Sequence, residues 1–504
     1  MSADRQLTCD VCVIGSGAGG AVLAAGLAEA GVDVVILEEG GEYGARDFAV
    51  LDESWSLPTL YQERGGRATE DRAITVLQGR SVGGGTTVNW TTCFRTPDRI
   101  LAHWRDLHGL VLTSEDLAPH FAAVEQRLNI GPWPVTLVNE NNRRLLEGAR
   151  SLGVETTVLS RNVSGCANSG YCGFGCPYDA KQSMHMTYLP DAIAAGARLF
   201  PNTRATRLQT EGDRIVAVHA ESMDPGADRP AGPRLTVRPQ MTVCSAGAIN
   251  GPALLQRSGI NDRGRVGKRT FLHPVIAVAG RYDAPIHPWF GAPQSVSSHH
   301  WVDRGSQVGF FVEAAPLHPV MASVAFAMHG EAKTRLMSQL QNTSALIALQ
   351  VDGLHPDDHG GTVTARPDGR ISLDYPLGPV LQESLQEAHV QLLRLHLAAG
   401  AREVLTLHNE PIIVSSEAGI ARLRSAKYGA LQHTMFSAHQ MGGCAMGPDP
   451  ATSVVDLSMR HHRLRDLFVV DGSVLPTSLG VNPSLTIYGL AHWARDGVLA
   501  ALNE

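Results

Sequence analysis

Apolar positions along this chain fall into two patterns. Two short unbroken runs, Val11-Cys12-Val13-Ile14 and Val34-Val35-Ile36-Leu37, have the length and the lack of alternation expected of strands buried on both faces. Between them lie a glycine-rich turn, Gly15-Ser16-Gly17-Ala18-Gly19-Gly20, and an Ala-rich segment, so the pattern predicts a βαβ unit. Further on, helical spacing predicts helices over 114–128, 139–151 and 382–399. The last has Leu385, Ala388, Leu392, Leu395 and Ala399 on one face and stops at Gly400. Residues 198–218 read as strand, turn and strand. The stretch 235–245 reads as a strand delivering Ala246-Gly247-Ala248 into a helix over 252–258. From 282 to 373 the character changes to short alternating segments (309–313, 345–351, 362–365, 371–373) broken by Pro, Gly and His, which predicts an antiparallel sheet. The Pro- and Gly-rich stretch 224–234 is expected to be a surface loop, and 47–72 shows no clean period and is expected to be a covering loop.

Length and composition narrow the class. At 504 residues, about two domains are expected, and 43% hydrophobic with 18% charged residues suits a globular protein. The net charge of -7 and the lack of a Lys/Arg cluster argue against nucleic acid as a partner. No apolar run reaches the length of a membrane span, and the polar start runs straight into the first strand, so the expected location is cytoplasmic. In that compartment the eight cysteines are expected to be mostly free thiols. Cys9 and Cys12 form a C-x-x-C spacing, but within a strand residues three apart face opposite ways, which argues against a redox pair.

The first βαβ unit also carries the first chemistry. Gly15 suits the tight turn, Gly17 a close backbone approach to a pyrophosphate, and Gly20 close packing of helix on strand. The helix N-terminus attracts phosphate, and Glu38 is placed to accept from adenosine ribose hydroxyls. Strand, glycines, helix, strand and acid in register predict a dinucleotide site. Gly79-Arg80-Ser81-Val82-Gly83-Gly84-Gly85-Thr86-Thr87-Val88-Asn89-Trp90 suits backbone passing against a flat, polar-edged ligand. Cys166, Cys172 and Cys176, in a Gly-rich loop ending Cys176-Pro177, are spaced like metal ligands. An iron–sulfur cluster on these three is one reading. Loop packing or a partial disulfide is the other, and a zinc site would need a fourth ligand, with His185 only a distant candidate.

The C-terminal hundred residues contain Ser437-Ala438-His439-Gln440-Met441-Gly442-Gly443-Cys444, then Leu467-Phe468-Val469-Val470-Asp471-Gly472-Ser473, then Val481-Asn482-Pro483-Ser484. With the opening fingerprint, the Gly79–Asn89 loop and a second signature over 247–260, the chain resembles the glucose–methanol–choline (GMC) flavin oxidoreductases, long-chain alcohol oxidase and cholesterol oxidase branches above all. It departs from the second signature at Gly251 and Asn261. The resemblance spans the whole chain in order. It implies an α/β fold: a discontinuous Rossmann-type FAD-binding domain (1–281 and 430–504, with insertions around 100–190) and an α+β substrate domain on an antiparallel sheet (282–429).

The resemblance also implies FAD rather than NAD. Gly15, Gly17, Gly20 and Glu38 would hold its ADP half. Gly85, Asn89 and Thr92 would lie along the flavin, Ala205 beside the adenine, Asp471 and Gly472 at the pyrophosphate and ribityl chain, and Asn482 and Ser484 at the ring's polar edge. His439 falls at the family's base position. That agrees with chemistry, since alcohol oxidation removes a hydroxyl proton while hydride leaves the carbinol carbon. Asn482 stands where many members have a second histidine, and its amide could orient the hydroxyl. His273 and His433 are expected to be structural. Glu313 is either a residue of the substrate cavity or an ordinary strand carboxylate. The activity so implied is oxidation of a hydrophobic primary or secondary alcohol, with O2 or another electron acceptor. A lyase that binds FAD without net redox, a dehydrogenase passing electrons through a 3Fe-4S cluster, and an NAD-dependent dehydrogenase are the alternatives.

Overall fold

The computed structural model describes residues 4–226 and 229–504. In chain order the elements that build the site are β1 (Arg5–Ile14), α1 (Ala18–Glu29), β2 (Val34–Leu37), β3 (Arg198–Phe200), β4 (Thr203–Glu211), β5 (Arg214–Asp224), β6 (Arg229–Cys244) and α2 (Gly247–Arg257). They continue with β7 (Val275–Arg281), β8 (Phe310–Ala314), β9 (Thr343–Gln350), α3 (Pro379–Ala398), β10 (Glu403–Thr406), β11 (Met435–Ser437), β12 (Leu467–Val469) and α4 (Ser484–Leu502).

The first sheet runs β3-β2-β1-β6-β5-β4, with β12 added beside β6. Its centre is parallel: Val11 lies opposite Val34 on one side and Met241 on the other, and Thr242 opposite Leu467. Val11 to Ile14 and all of β2 are buried, as their unbroken apolar runs require. Helix α1 packs against α4, so the two ends of the chain meet on one face of the sheet.

Residues 229–234 are strand rather than the surface loop their Pro and Gly suggest. Among the described residues they pair with β5 alone (Met223 opposite Pro230, Asp224 opposite Arg229), while β1 joins at Leu235. A proline costs no ladder bond on such an edge. The stretch 47–72 is likewise not all loop: it contains helices Ala45–Phe48 and Glu53–Leu60, the second with Pro58 inside and Asp52 capping Ser54 N–H at 2.8 Å.

The second sheet is antiparallel at its core, in the order β10-β7-β9-β8, and β11 joins at β7. β8 and β9 do not alternate. Every residue of both is buried: α3 packs on one face, while on the other Ala345 meets the helical segment of Ala322, Phe326 and Leu336, and Ile347 and Leu349 face the cavity. The sheet begins at Val275, ahead of the expected boundary at 282, and it takes β11 from beyond 430. Strands 361–365 and 371–374, expected in this sheet, instead pair in a separate small sheet with Lys268–Phe271.

Candidate active site

Between the two sheets lies a cavity of about 650 Å³, within the range of cofactor and ligand clefts. At its nucleotide end, β1 hands over to α1 through three glycines with separate duties. Gly15 has φ +103, and a Cβ there would stand 2.3 Å from Ser245 O. Gly20 is packed against the backbone, 2.0 Å from Gly15 O to its notional Cβ, so it closes helix on strand and does not line the cavity. Gly17 caps α1 and faces the cavity, with nothing but Gly84 Cα near its notional Cβ. Gly19, to which the fingerprint assigns no role, is as tight as Gly20: its Cβ would meet Val470 O at 1.9 Å.

Glu38 ends β2 at the cavity wall. Its carboxylate accepts from Ser16 N–H (3.1 Å), Ser16 Oγ (2.7 Å) and Gly40 N–H (2.8 Å), and burial raises its pKa against those bonds. Ala205, from β4, lines the same end. Asp471 follows β12 and binds both partners' backbones, accepting from Gly247 N–H and Ser473 N–H at 2.7 Å each. It thereby ties the C-terminal segment to the N-terminus of α2, and Gly472 beside it faces the cavity.

The Gly79–Asn89 loop forms the next wall. Gly83 and Gly84 adopt φ +92 and +54, and Gly84 touches Gly17, so the two glycine loops are in contact. Gly85, Asn89 and Thr92 line the cavity. A buried lysine, whose role sequence reasoning missed, braces this loop. Lys181 Nζ donates to Thr87 O (2.5 Å), Asn89 O (3.0 Å) and Cys172 O (2.7 Å), and burial lowers its pKa to about 8. Only its basic character amid Gly and Cys residues could have signalled this.

Cys172 lies on the same brace. Its sulfur receives Arg161 Nη2 at 3.7 Å, and its neighbours Gly173 and Phe174 line the cavity. All three loop cysteines are free thiols. Among the described residues they do not gather at the separations of a single zinc ion's ligands. The loop is held by packing contacts: Tyr61 hydroxyl to Gly173 O at 2.6 Å and Ser56 Oγ to Phe174 O at 3.3 Å.

At the far end, β11 delivers His439 and the N-terminus of α4 delivers Asn482 and Ser484 to the same cavity. His439 Nε2 lies 3.4 Å from Asn482 Nδ2, and its Nδ1 lies 3.1 Å from His273 Nδ1. His273, expected to be merely structural, is therefore the neighbour of the candidate base. Gly480 N–H donates to His273 Nε2 at 3.2 Å, which places the ring proton of a neutral His273 on Nδ1. Burial lowers His439 to about 4, so it is neutral at physiological pH. Glu313 lies behind Asn482 and is not part of the cavity wall. It accepts from Gln294 Nε2 at 2.5 Å and Asn482 Nδ2 at 3.5 Å, and burial raises its pKa to about 8. Asn482 Oδ1 is buried without a hydrogen-bond partner, an acceptor left over for a ligand. Val275, Ile347, Leu349 and Phe436, from β7, β9 and β11, give this end an apolar wall.

Most of these residues line one cavity, and comparison with known proteins gives the family. Models of the GMC oxidoreductase family match residues 57–275 and 361–491. The chain belongs to the GMC oxidoreductase family. It is an enzyme, an oxidoreductase. This GMC oxidoreductase is 34% identical over 97% of its length to an uncharacterized GMC-type oxidoreductase of Mycobacterium tuberculosis, covering 76% of that chain. It is 30% identical to the long-chain-alcohol oxidase FAO4A of Arabidopsis thaliana, over 99% of its own length and 69% of that chain. In structure it is similar to pyridoxine 4-oxidase from Mesorbium loti, with a TM-score of 0.72, 20% identity and coverage of 97% and 99% of the two chains. Among the described residues, no helix is long and apolar enough to cross a membrane.

Proposed function

We propose that this protein binds FAD in the cleft and oxidises a hydrophobic primary or secondary alcohol, with His439 as base. The observation that carries the reading is the conjunction of His439 Nε2 and the Asn482 amide, 3.4 Å apart, at the apolar end of a cavity whose other end has a dinucleotide fingerprint. The residues fit an adenine dinucleotide: Gly17 leaves room for a pyrophosphate at the start of α1, and Glu38 stands at the ribose position. Bound FAD supplies the hydride acceptor.

The chain's own residues do the rest. Val275, Ile347, Leu349 and Phe436 exclude water and favour an apolar carbon skeleton, in keeping with the relation to a long-chain-alcohol oxidase. Asn482 Nδ2, 3.4 Å from His439 Nε2, donates to the hydroxyl oxygen and so turns its proton toward His439. His439 Nε2 takes the hydroxyl proton, which requires a lone pair there and the ring proton on Nδ1, shared with His273 Nδ1. His273 then carries its proton on Nε2 and gives up the bond from Gly480.

That Gly480 bond favours a second reading of His439, in which Nε2 keeps its proton and polarises the alcohol oxygen as a donor. The cysteine loop is, in this proposal, a wall of the flavin site and not a cluster carrier, since its contacts are those of packing. Anaerobic mixing with a graded series of alcohols tests the function. Loss of the oxidised flavin band, faster with longer or bulkier apolar alcohols, is expected. A flavin that no alcohol bleaches would leave the lyase reading in its place.

A further inference from the structure

Away from the flavin cleft, three histidines meet in the interior. His389 comes from the middle of α3, His408 from two residues after β10, and His433 from two residues before β11. A β-bridge holds His408 opposite His433. The ring centroids are 4.4 to 5.2 Å apart in all three pairings, and one nitrogen from each ring lies within 4.8 Å of the other two. The three side chains are almost wholly buried, at 0%, 5% and 4% exposure, and none lines the flavin cavity.

The hydrogen bonds around the cluster already sort its nitrogens. Leu385 O can only accept, so the proton of His389 sits on Nδ1 (2.9 Å) and its Nε2 keeps a lone pair. His408 Nδ1 pairs with Thr406 Oγ1 at 2.8 Å. Among the described residues, His408 Nε2 and His433 Nδ1 have no hydrogen-bond partner although both are buried, while His389 Nε2 and His433 Nε2 lie 3.0 Å apart. Unpartnered buried imidazole nitrogens are costly without a ligand. Nitrogens outward-bonded to a carbonyl and a hydroxyl are the arrangement by which proteins orient imidazoles toward an ion. Zn–N bonds of about 2.0–2.1 Å in a tetrahedron place the nitrogens roughly 3.3 Å apart, so small ring rotations suffice.

We propose that His389, His408 and His433 bind a divalent transition ion of the zinc class, with water in the fourth position. Tyr428 walls the cluster: its ring packs against all three imidazoles, and its hydroxyl lies 3.1 Å from His389 Nδ1, the nitrogen turned away from the ion. Three neutral imidazoles offer an ion nitrogen donors and no charge, which suits zinc-class ions over calcium or magnesium. The ion would fasten α3 and β10 to the root of β11. His439 lies two residues beyond the end of that strand.

The test uses untagged, flavin-loaded protein. Elemental analysis after dialysis should find about one zinc-class ion per chain. Replacing it by Co2+ should give the ligand-field absorption of a four-coordinate centre, read apart from activity. His408→Gln and His433→Gln, at unchanged flavin content, should lose the ion. Wild-type protein that holds less than about a tenth of an ion per chain and takes up no Zn2+ or Co2+ on equilibrium dialysis overturns the proposal, whether or not the variants fold. Full retention of the ion by both variants overturns it as well.

Discussion

His439 stands between two partners that ask opposite things of it. His273 sits on its Nδ1 and the amide of Asn482 on its Nε2, at 3.1 and 3.4 Å. If Nε2 is the proton acceptor, His439→Ala should keep bound flavin but slow its reduction by about 10²–10⁴-fold. His439→Gln separates the two readings, because an amide can donate to the alcohol oxygen but takes no proton. Under the base reading it falls almost as far as the alanine variant. Near-normal reduction by His439→Gln would make His439 a donor. The pH dependence follows from burial. A histidine lowered to about 4 is already neutral at pH 5, so flavin reduction should stay level from pH 7 down to about 5 and fall only as protonation sets in nearer 4. An inflection near 6.5 in the stopped-flow profile would mean that the imidazole is not desolvated as the structure has it.

At the scale of elements, the glycine turn between β1 and α1 carries the heaviest constraint. Backbone crowds Gly19 at Val470 and Gly20 at Gly15, while Gly44, at φ −135, has nothing within 4 Å of a notional Cβ among the described residues. Gly19→Ala should therefore push α1 away from Val470, destabilise by roughly 1–3 kcal/mol and release flavin. Gly44→Ala should change neither the melting temperature nor the flavin content, as read by thermal unfolding and absorbance. This turn was legible in the sequence because its spacing and its flanking runs are local signals. So were helices α3 and α4's neighbours in the cleft, Asn482 and Ser484. The strand at 229–234 was not legible, since its prolines fit only because β1 begins pairing at Leu235, a fact of register between distant segments. The full burial of β8 and β9 was hidden for the same reason: what covers a sheet face lies elsewhere in the chain. His273 and His389 gave no local sign of their partners, which lie 166 and 44 residues away.

Across the whole molecule, histidine burial sets a common response to acid. His185, His299, His318, His396 and His439 are each lowered to about 4 by loss of solvent. An unfolded chain takes up these protons near 6.5. Between pH 6.5 and 4 it therefore binds more protons than the folded protein, and stability present above 6.5 is lost as the pH falls through that window. Urea midpoints should drop steeply from pH 7 to pH 5, while replacing one such group, as in His318→Gln, should flatten the slope. A His318→Gln slope equal to that of the wild type would contradict the burial of that ring.

The first sheet has β1 at its centre and β12 beside β6, and α1 lies against α4. Gly19 touches Val470, and Asp471 holds the start of α2. During synthesis, then, the fingerprint leaves the ribosome first but has no far wall until residues past 484 emerge. The prosthetic group can be seated only once those residues have emerged, and a chain cut short of β12 should accumulate colourless.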